Sequence, residues 1–289
     1  MKKVLITGAN GQLGSDLVLS FSQSGYEVII RTHDDLDIGN FAEVKNQLDL
    51  IKPDLLINTA AFHHVDLCEA DRDKAMLINA EAPANMARVC KDLNIRFVHF
   101  STDYVFDGMK NEPYTETDIP APLNVYGDSK MLGEQLIASH CTDYLIIRVS
   151  AIYGKYPCRA KNGLNFIQLM LKLAHEKGEV KVVDDEFVSP TATKNIAMQL
   201  PVLLDENING IIHMTSEGAC SWHEFAREIF DYTKTQVILH KASSNDFPAK
   251  TPRPKYSVME NTVLKSRNIN KMMHWKDALH TYLDEMISN

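Results

Sequence analysis

The stretch Val4-Leu5-Ile6-Thr7-Gly8-Ala9-Asn10-Gly11-Gln12-Leu13-Gly14 decides the fold. A short apolar run of strand type meets glycines at positions 8, 11 and 14, and Leu13, Leu17, Val18 and Phe21 then recur at helical spacing. The reading is strand, tight turn, helix. Gly8 lets the chain turn sharply, Gly11 lets a backbone approach a pyrophosphate, and Gly14 lets the helix pack close to the strand. The free N–H groups of the helix N-terminus, with their partial positive charge, aim at that phosphate. Asn10, Gln12 and Leu13 lie in the same turn and join the glycines as candidate cofactor contacts. An ordinary glycine-rich turn would look the same in isolation, so the weight falls on the residues downstream of it.

The 289 residues suffice for one large α/β domain, or for one plus a smaller partner. Hydrophobic content of 45% and charged content of 24% fit a water-soluble chain with a sizeable core. A net charge of −8 argues against nonspecific nucleic-acid binding, while local arginines can still receive an anionic substrate. No apolar run approaches a membrane span, and the chain starts directly on a strand with no signal peptide. The cysteines at 68, 90, 141, 158 and 220 are scattered, odd in number and without a C-x-x-C pair. They read as reduced thiols of a cytoplasmic protein.

Tyr26 to Ile30 reads as a second strand, whose end faces the adenosine ribose in a dinucleotide fold. No carboxylate occurs until Asp34, so Arg31, Thr32 and His33 could meet a 2′-phosphate, which predicts NADPH with NADH also usable. A solvated loop is the alternative reading of the same residues. Phe41 to Ile51 is helical, and Leu55 to Thr59 is a buried strand running into Ala60, Ala61 and Phe62, where small residues leave room for a cofactor. His63 and His64 are sequence neighbours that share no face and lack a third ligand at usual spacing, so no metal site is predicted. Asp66 and Glu69 are expected to cap a helix spanning about Asp71 to Leu93.

Ile95 to Ser101 is a fourth strand, and Thr102 and Asp103 come next, at the end where such sheets bind ligands. A local Ser/Thr turn would also account for them. Tyr126 and Lys130 are four apart and share a helix face, where the ammonium would lower the phenol's pKa and make it a usable proton donor. Such a pair is common by itself. Its meaning comes from lying 24 residues after Thr102 and behind the glycine turn. Asp143 to Val149 is a fifth strand; Val180 to Val183 and Gly210 to Met214 are expected to return to the same sheet. Asn165 to Glu176, Thr193 to Leu204 and Trp275 to Ile287 read as helices, and Lys155 to Gly163 as a polar loop. Ser221 and Glu224 form a capping box, with His223 expected at the surface. Thr251 to Pro254 is extended, so Arg253 could grip a diphosphate.

Together the G-x-x-G-x-x-G turn, STDYVFDG at 101–108 and PLNVYGDSK at 122–130 resemble the extended short-chain dehydrogenases/reductases. Within that superfamily the chain is most similar to the dTDP-4-dehydrorhamnose reductases, with Asn58 to Glu69, Asn165-Phe166, Asp185 to Thr191 and Arg253-Pro254 also fitting. The resemblance implies an α/β fold: a doubly wound Rossmann-type parallel sheet with a smaller C-terminal lobe. Residues 1–150 would bind the nicotinamide cofactor and 151–289 the substrate, with segments near 180–215 returning to the sheet. It implies hydride transfer to the C4 carbonyl of a nucleotide-linked 4-keto-6-deoxyhexose, dTDP-4-dehydro-L-rhamnose by preference. Tyr126 would donate the proton, Thr102 would hydrogen-bond the same oxygen, and Lys130 would hold the nicotinamide ribose. Asp37 and Ile38 would contact the adenine; Val65, Asp103, Asn165 and Arg253 would contact the substrate.

Ala151 stands where many of these reductases carry an aromatic residue, and Tyr153 is the candidate replacement. Mg²⁺, which some relatives use at a dimer contact, and a homodimer stay open. So do an epimerase, and a non-catalytic subunit similar to the regulatory subunit of methionine adenosyltransferase. The complete set of Thr102, Tyr126 and Lys130 speaks against the latter, and the absence of a Glu beside Asp103 speaks against most dehydratases.

Overall fold

The computed structural model describes residues 1–157, 163–247 and 251–288. Strand β1 (Lys3–Thr7) leads through the glycine turn to α1 (Gln12–Gln23), β2 (Glu27–Arg31), α2 (Phe41–Ile51) and β3 (Leu55–Asn58). Two short helices, α3 (Val65–Ala70) and α4 (Arg72–Met76), a π-helical turn at Leu77–Glu81 and α5 (Ala82–Leu93) precede β4 (Arg96–Thr102). A 3₁₀ turn at Asp103–Val105, α6 (Val125–His140) and β5 (Tyr144–Val149) come after it. Beyond lie β6 (Ile152–Tyr153), α7 (Phe166–Lys177), β7 (Glu179–Val183), β8 (Phe187–Val188), β9 (Thr191–Ala192), α8 (Thr193–Asp205) and β10 (Gly210–His213). The chain closes with β11 (Cys220–Ser221), α9 (Trp222–Thr233), β12 (Ile238–Ala242), α10 (Thr262–Ser266) and α11 (Trp275–Ile287).

Six strands form one parallel sheet in the order β10-β5-β4-β3-β1-β2. Because β1 has β2 on one side and β3 on the other, the crossovers diverge there, and a crevice opens at the carboxyl ends of β1 and β3. Both faces are covered. Leu13, Leu17 and Phe21 of α1 and Ile196, Leu200 and Leu203 of α8 bury one face. Val44 and Leu48 of α2, Met86 and Cys90 of α5 and Ile137 of α6 bury the other. This is the doubly wound α/β architecture. A separate core of Tyr153, Ile167, Met170, Phe225, Ile229 and Leu279 lies beyond it, built from α7, α9 and α11.

Of the two late strands expected in the main sheet, β10 pairs with β5, whereas β7 pairs with β12 in a two-stranded sheet of its own. The single helix expected over Asp71 to Leu93 is interrupted. Asp71 caps α4 by accepting the Lys74 N–H, and the π turn places the Asn79 amide against Phe62 before α5 begins. Asp66 and Glu69 lie within α3, which His64 caps through Nδ1; Glu69 instead accepts the Val125 N–H and caps α6. His223 is buried, not superficial, with Nδ1 3.7 Å from Asp184. Cys68, Cys90, Cys141 and Cys220 are free and buried, and Cys158 lies outside the described residues, as does most of the Lys155 to Gly163 loop. Among the described residues no helix is long and apolar enough to cross a membrane.

Candidate active site

The glycine turn is built as its spacing predicts. Gly8 has φ +68°, and a Cβ there would stand 2.7 Å from Thr59 Oγ1 and 2.8 Å from the Ala60 nitrogen. At Gly14 a Cβ would come within 2.3 Å of the Gly8 carbonyl oxygen, so α1 packs directly on the turn. At Gly11 it would meet only that oxygen, at 3.3 Å, and Gly11 borders open cavity. No side chain caps α1, which leaves its first N–H groups facing the crevice. The three glycines thus divide their surroundings: two are pressed against protein, and one faces the cavity.

A cavity of about 920 Å³ runs from this turn to the C-terminal lobe. It is lined by Gly8, Asn10, Gly11, Gln12, Leu13 and Gly14, by Asp37, Ile38, Ala60, Ala61 and Phe62, and by Val65, Thr102, Asp103, Tyr126, Lys130, Asn165 and Arg253. Arg31 and Thr32 do not line it. The Arg31 guanidinium is tied to Gln47 Oε1 at 2.9 Å and to the Ile30 carbonyl at 2.8 Å, and Thr32 is bound through its N–H and hydroxyl to Asp35. These groups satisfy one another away from the crevice, and His33 is the residue of that trio on the cavity wall.

Tyr126 is set by the first turn of α6. Asn124 caps that turn by accepting the Gly127 N–H, and its Nδ2 holds the Pro252 carbonyl at 2.9 Å. Gly127 and Gly133 let α6 approach closely: a Cβ at either would fall 2.1 Å from the Tyr104 oxygen or 2.3 Å from the Asn79 oxygen. The Tyr126 phenol meets the Thr102 hydroxyl, and the Tyr104 ring stands edge-on at 5.7 Å. Thr102 donates to Asp103 Oδ1 at 2.9 Å; Asp103 Oδ2 accepts from Ser150 at 2.8 Å and Ser257 at 2.6 Å. Burial raises the Asp103 pKa, and these three hydroxyls offset part of the rise.

Lys130 departs from expectation. Its Nζ donates to the Phe100 carbonyl at 2.6 Å and lies 2.9 Å from His99 Nε2. Burial lowers its pKa to about 8, with Glu134 opposing. The Tyr126 phenol is pushed above its ordinary value by burial, and its bond with Thr102 offsets only part of that. The depression of the phenol's pKa by Lys130 is therefore absent from this arrangement: desolvation outweighs the hydroxyl, and the lysine is spent on β4.

Asn165 lines the cavity, but its amide is fully used in protein contacts. Oδ1 accepts the Gln168 N–H as the cap of α7, and Nδ2 donates to the Gly154 carbonyl and Tyr282 hydroxyl. Arg253 is half-exposed at the wall, its Nη2 4.0 Å from Asp66 Oδ2. Sequence reasoning missed Lys74, whose ammonium sits 5.1 Å over the Phe62 ring, and Phe166 and Trp222, whose rings meet tilted by 40° at 4.7 Å on the lobe side. Phe166 and Trp222 were legible only as helix packing and a cap neighbour. Tyr153 also lines the wall, its hydroxyl buried without a partner. Among the described residues no group of three or more His, Cys, Asp or Glu is placed to hold a metal ion.

The family described as "RmlD substrate binding domain" matches residues 1–288. The spore coat polysaccharide biosynthesis protein SpsK of Bacillus subtilis is 40% identical over 288 residues, covering 100% of this chain and 99% of that protein. A dTDP-4-dehydrorhamnose reductase of Burkholderia thailandensis is 35% identical, with 99% of each chain covered. The crystal structure of dTDP-4-dehydrorhamnose reductase from Bacillus anthracis in complex with NADP superposes with a TM-score of 0.94 at 37% identity, covering 99% of this chain and 100% of the other.

Proposed function

The chain belongs to the dTDP-4-dehydrorhamnose reductase family, and from that premise we propose that it reduces dTDP-4-dehydro-L-rhamnose to dTDP-L-rhamnose with NADPH. It is a nicotinamide-dependent oxidoreductase of the nucleotide-sugar reductase type. The observation that supports the finer reading is the convergence of Thr102, Tyr126 and Lys130 with the glycine turn around one cavity.

The residues present fit a dinucleotide: a Cβ at Gly11 would meet a single protein atom, and the uncapped start of α1 offers N–H donors to a diphosphate. Gly8 to Gly14 would hold that diphosphate, Asp37 and Ile38 the adenine, and Ala60 to Phe62 the adjoining stretch. His33 on the wall, with no acidic residue at the end of β2, favours the 2′-phosphate of NADPH. When bound, the cofactor supplies a hydride.

The chain's own part is to bind, orient and protonate. The Tyr126 hydroxyl donates its proton to the C4 oxygen as negative charge gathers there. Its raised pKa keeps it protonated, the form a donor needs. Thr102 has one hydroxyl hydrogen, now on Asp103. Because Asp103 retains Ser150 and Ser257 as donors, Thr102 can turn that hydrogen toward the substrate oxygen without leaving the carboxylate unpartnered. Arg253 and Lys74 draw the polyanionic end of the substrate into an otherwise acidic protein. Phe166 and Trp222 provide an apolar wall in place of an aromatic residue at Ala151. In this reading residues 1–150 with β10 hold the cofactor, and residues 151–289 hold most of the substrate.

The test is turnover of purified protein with dTDP-4-dehydro-L-rhamnose. Stoichiometric release of oxidised cofactor and appearance of dTDP-L-rhamnose are expected. Epimerised keto sugar with cofactor unconsumed, or no turnover on any 4-keto-6-deoxy sugar, would overturn the reading.

A further inference from the structure

His99 is a buried titratable group that touches Lys130 yet takes no part in the proton transfer from Tyr126. It is 1% exposed, between Asn58 at 0% and Lys130 at 1%. Asn58 Oδ1 accepts from the Ala60 N–H at 3.1 Å and the Thr7 hydroxyl at 2.7 Å. A backbone N–H can only donate, so the orientation of the Asn58 amide is settled and its Nδ2 carries the hydrogens toward His99 Nδ1, 3.1 Å away. Nδ1 must therefore accept. A neutral imidazole then carries its single hydrogen on Nε2, and Nε2 lies 2.9 Å from Lys130 Nζ. An ammonium at that distance would oppose hydrogen to hydrogen. An amine would accept the imidazole hydrogen on its lone pair while donating to the Phe100 carbonyl.

We propose that His99 is a positioning residue for Lys130, donating its Nε2 hydrogen to Nζ and so favouring the lysine's uncharged amine over its ammonium in the cofactor-free protein. The ammonium then forms by uptake of one proton from solvent when the anionic cofactor enters. Other groups around Lys130 do not change the count. Among the described residues, Glu134 on its own helix is the carboxylate acting on it, and both Glu134 oxygens are held by Arg148 of β5, at 2.9 and 2.6 Å. Tyr126 lies one helical turn back and is neutral. Burial lowers the Lys130 pKa to about 8, so the amine predominates in the cofactor-free protein above that pH. The coupling to cofactor rests on the reductase reading; the tautomer of His99 does not.

Nitrogen NMR on protein labelled at the histidine rings reads the tautomer directly, with the His99 signals assigned by their loss in His99→Gln. Protonated Nε2 and bare Nδ1 are expected in the cofactor-free protein above the Lys130 value of about 8. A protonated Nδ1 overturns the proposal whether or not the protein turns over any sugar. Calorimetry of NADPH binding in buffers of different ionisation heat should show net proton uptake above the Lys130 value of about 8; no uptake there refutes the coupling. In kinetics, kcat/KM should fall as pH rises past that value. His99→Phe removes the donor that favours the amine, so the limb should move to higher pH by roughly half to one unit. His99→Gln presents an oxygen to Asn58 and an N–H to Lys130 in the same order, and should restore the wild-type limb. Equal losses in both variants with unmoved limbs would reduce His99 to a structural role and end the proposal.

Discussion

Replacing Gly11 by Ala should separate cofactor binding from folding. In the protein, a methyl at this position meets only the Gly8 carbonyl oxygen, at 3.3 Å, and Gly11 sits at φ −82°, ψ 173°, which alanine adopts freely. Removing the unfolded chain's glycine freedom stabilises by about 0.4–1 kcal/mol. Alanine is a poorer helix cap than glycine by a similar amount, about 0.5–1 kcal/mol. These terms nearly cancel, and with the Gly8 oxygen giving by a few tenths of an ångström the midpoint of thermal unfolding should move far less than in a variant that drives a Cβ into backbone. The methyl instead occupies the face where a diphosphate must lie against the N–H groups of α1. Losing one charge-assisted hydrogen bond costs about 1.5–3 kcal/mol, which raises the Kd for NADPH roughly 10- to 150-fold. Gly14→Ala makes the contrast. Its Cβ would fall 2.3 Å from the Gly8 oxygen and 2.8 Å from the Ala9 Cα, both backbone, so the turn or α1 must shift and stability should drop by about 1–3 kcal/mol or more. Fluorescence titration of NADPH and thermal unfolding on both variants make the assay. An unchanged Kd in Gly11→Ala, or an equal loss of stability in both, would refute the assignment of this turn to a diphosphate.

Tyr126→Phe should fold and bind NADPH normally while kcat falls about 10²- to 10⁴-fold, or about 3–5 kcal/mol of barrier; near-wild-type turnover removes Tyr126 as the proton donor. Arg253→Ala should raise KM for the nucleotide sugar roughly ten- to a hundredfold at nearly constant kcat, because a remote grip acts equally in ground and transition states; steady-state kinetics would contradict this if kcat alone fell. Arg148→Met should cost about 3–5 kcal/mol in denaturant unfolding, since it strands Glu134, whose side chain is 3% exposed, without its partner. Adding Glu134→Leu to that variant should recover much of the loss, and an additive loss would show that the pair is not coupled.

The doubly wound sheet was expected from the family resemblance, whereas the residue pattern alone set the strand-turn-helix at Val4 to Gly14, the bounds of α2 and α11, and Tyr126 and Lys130 four apart on one helix. These are local signals: glycine spacing, apolar periodicity, caps, and a four-residue interval on a helix. Tertiary structure alone decided where the polar ends of those side chains go. Lys130 turns to His99 and Phe100 rather than to the phenol, Arg31 turns to Gln47 rather than to the crevice, and Asn165 serves α7. β7 leaves the main sheet for β12, and His223 sinks beside Asp184. The physical reason is common to all of them. A buried donor or acceptor must find a partner, and here the partners lie far along the chain: 41 residues separate Asn58 from His99, and 31 separate His99 from Lys130. No local pattern encodes a pairing across three strands and a helix, so only the packed molecule reveals which hydrogen each of these groups carries.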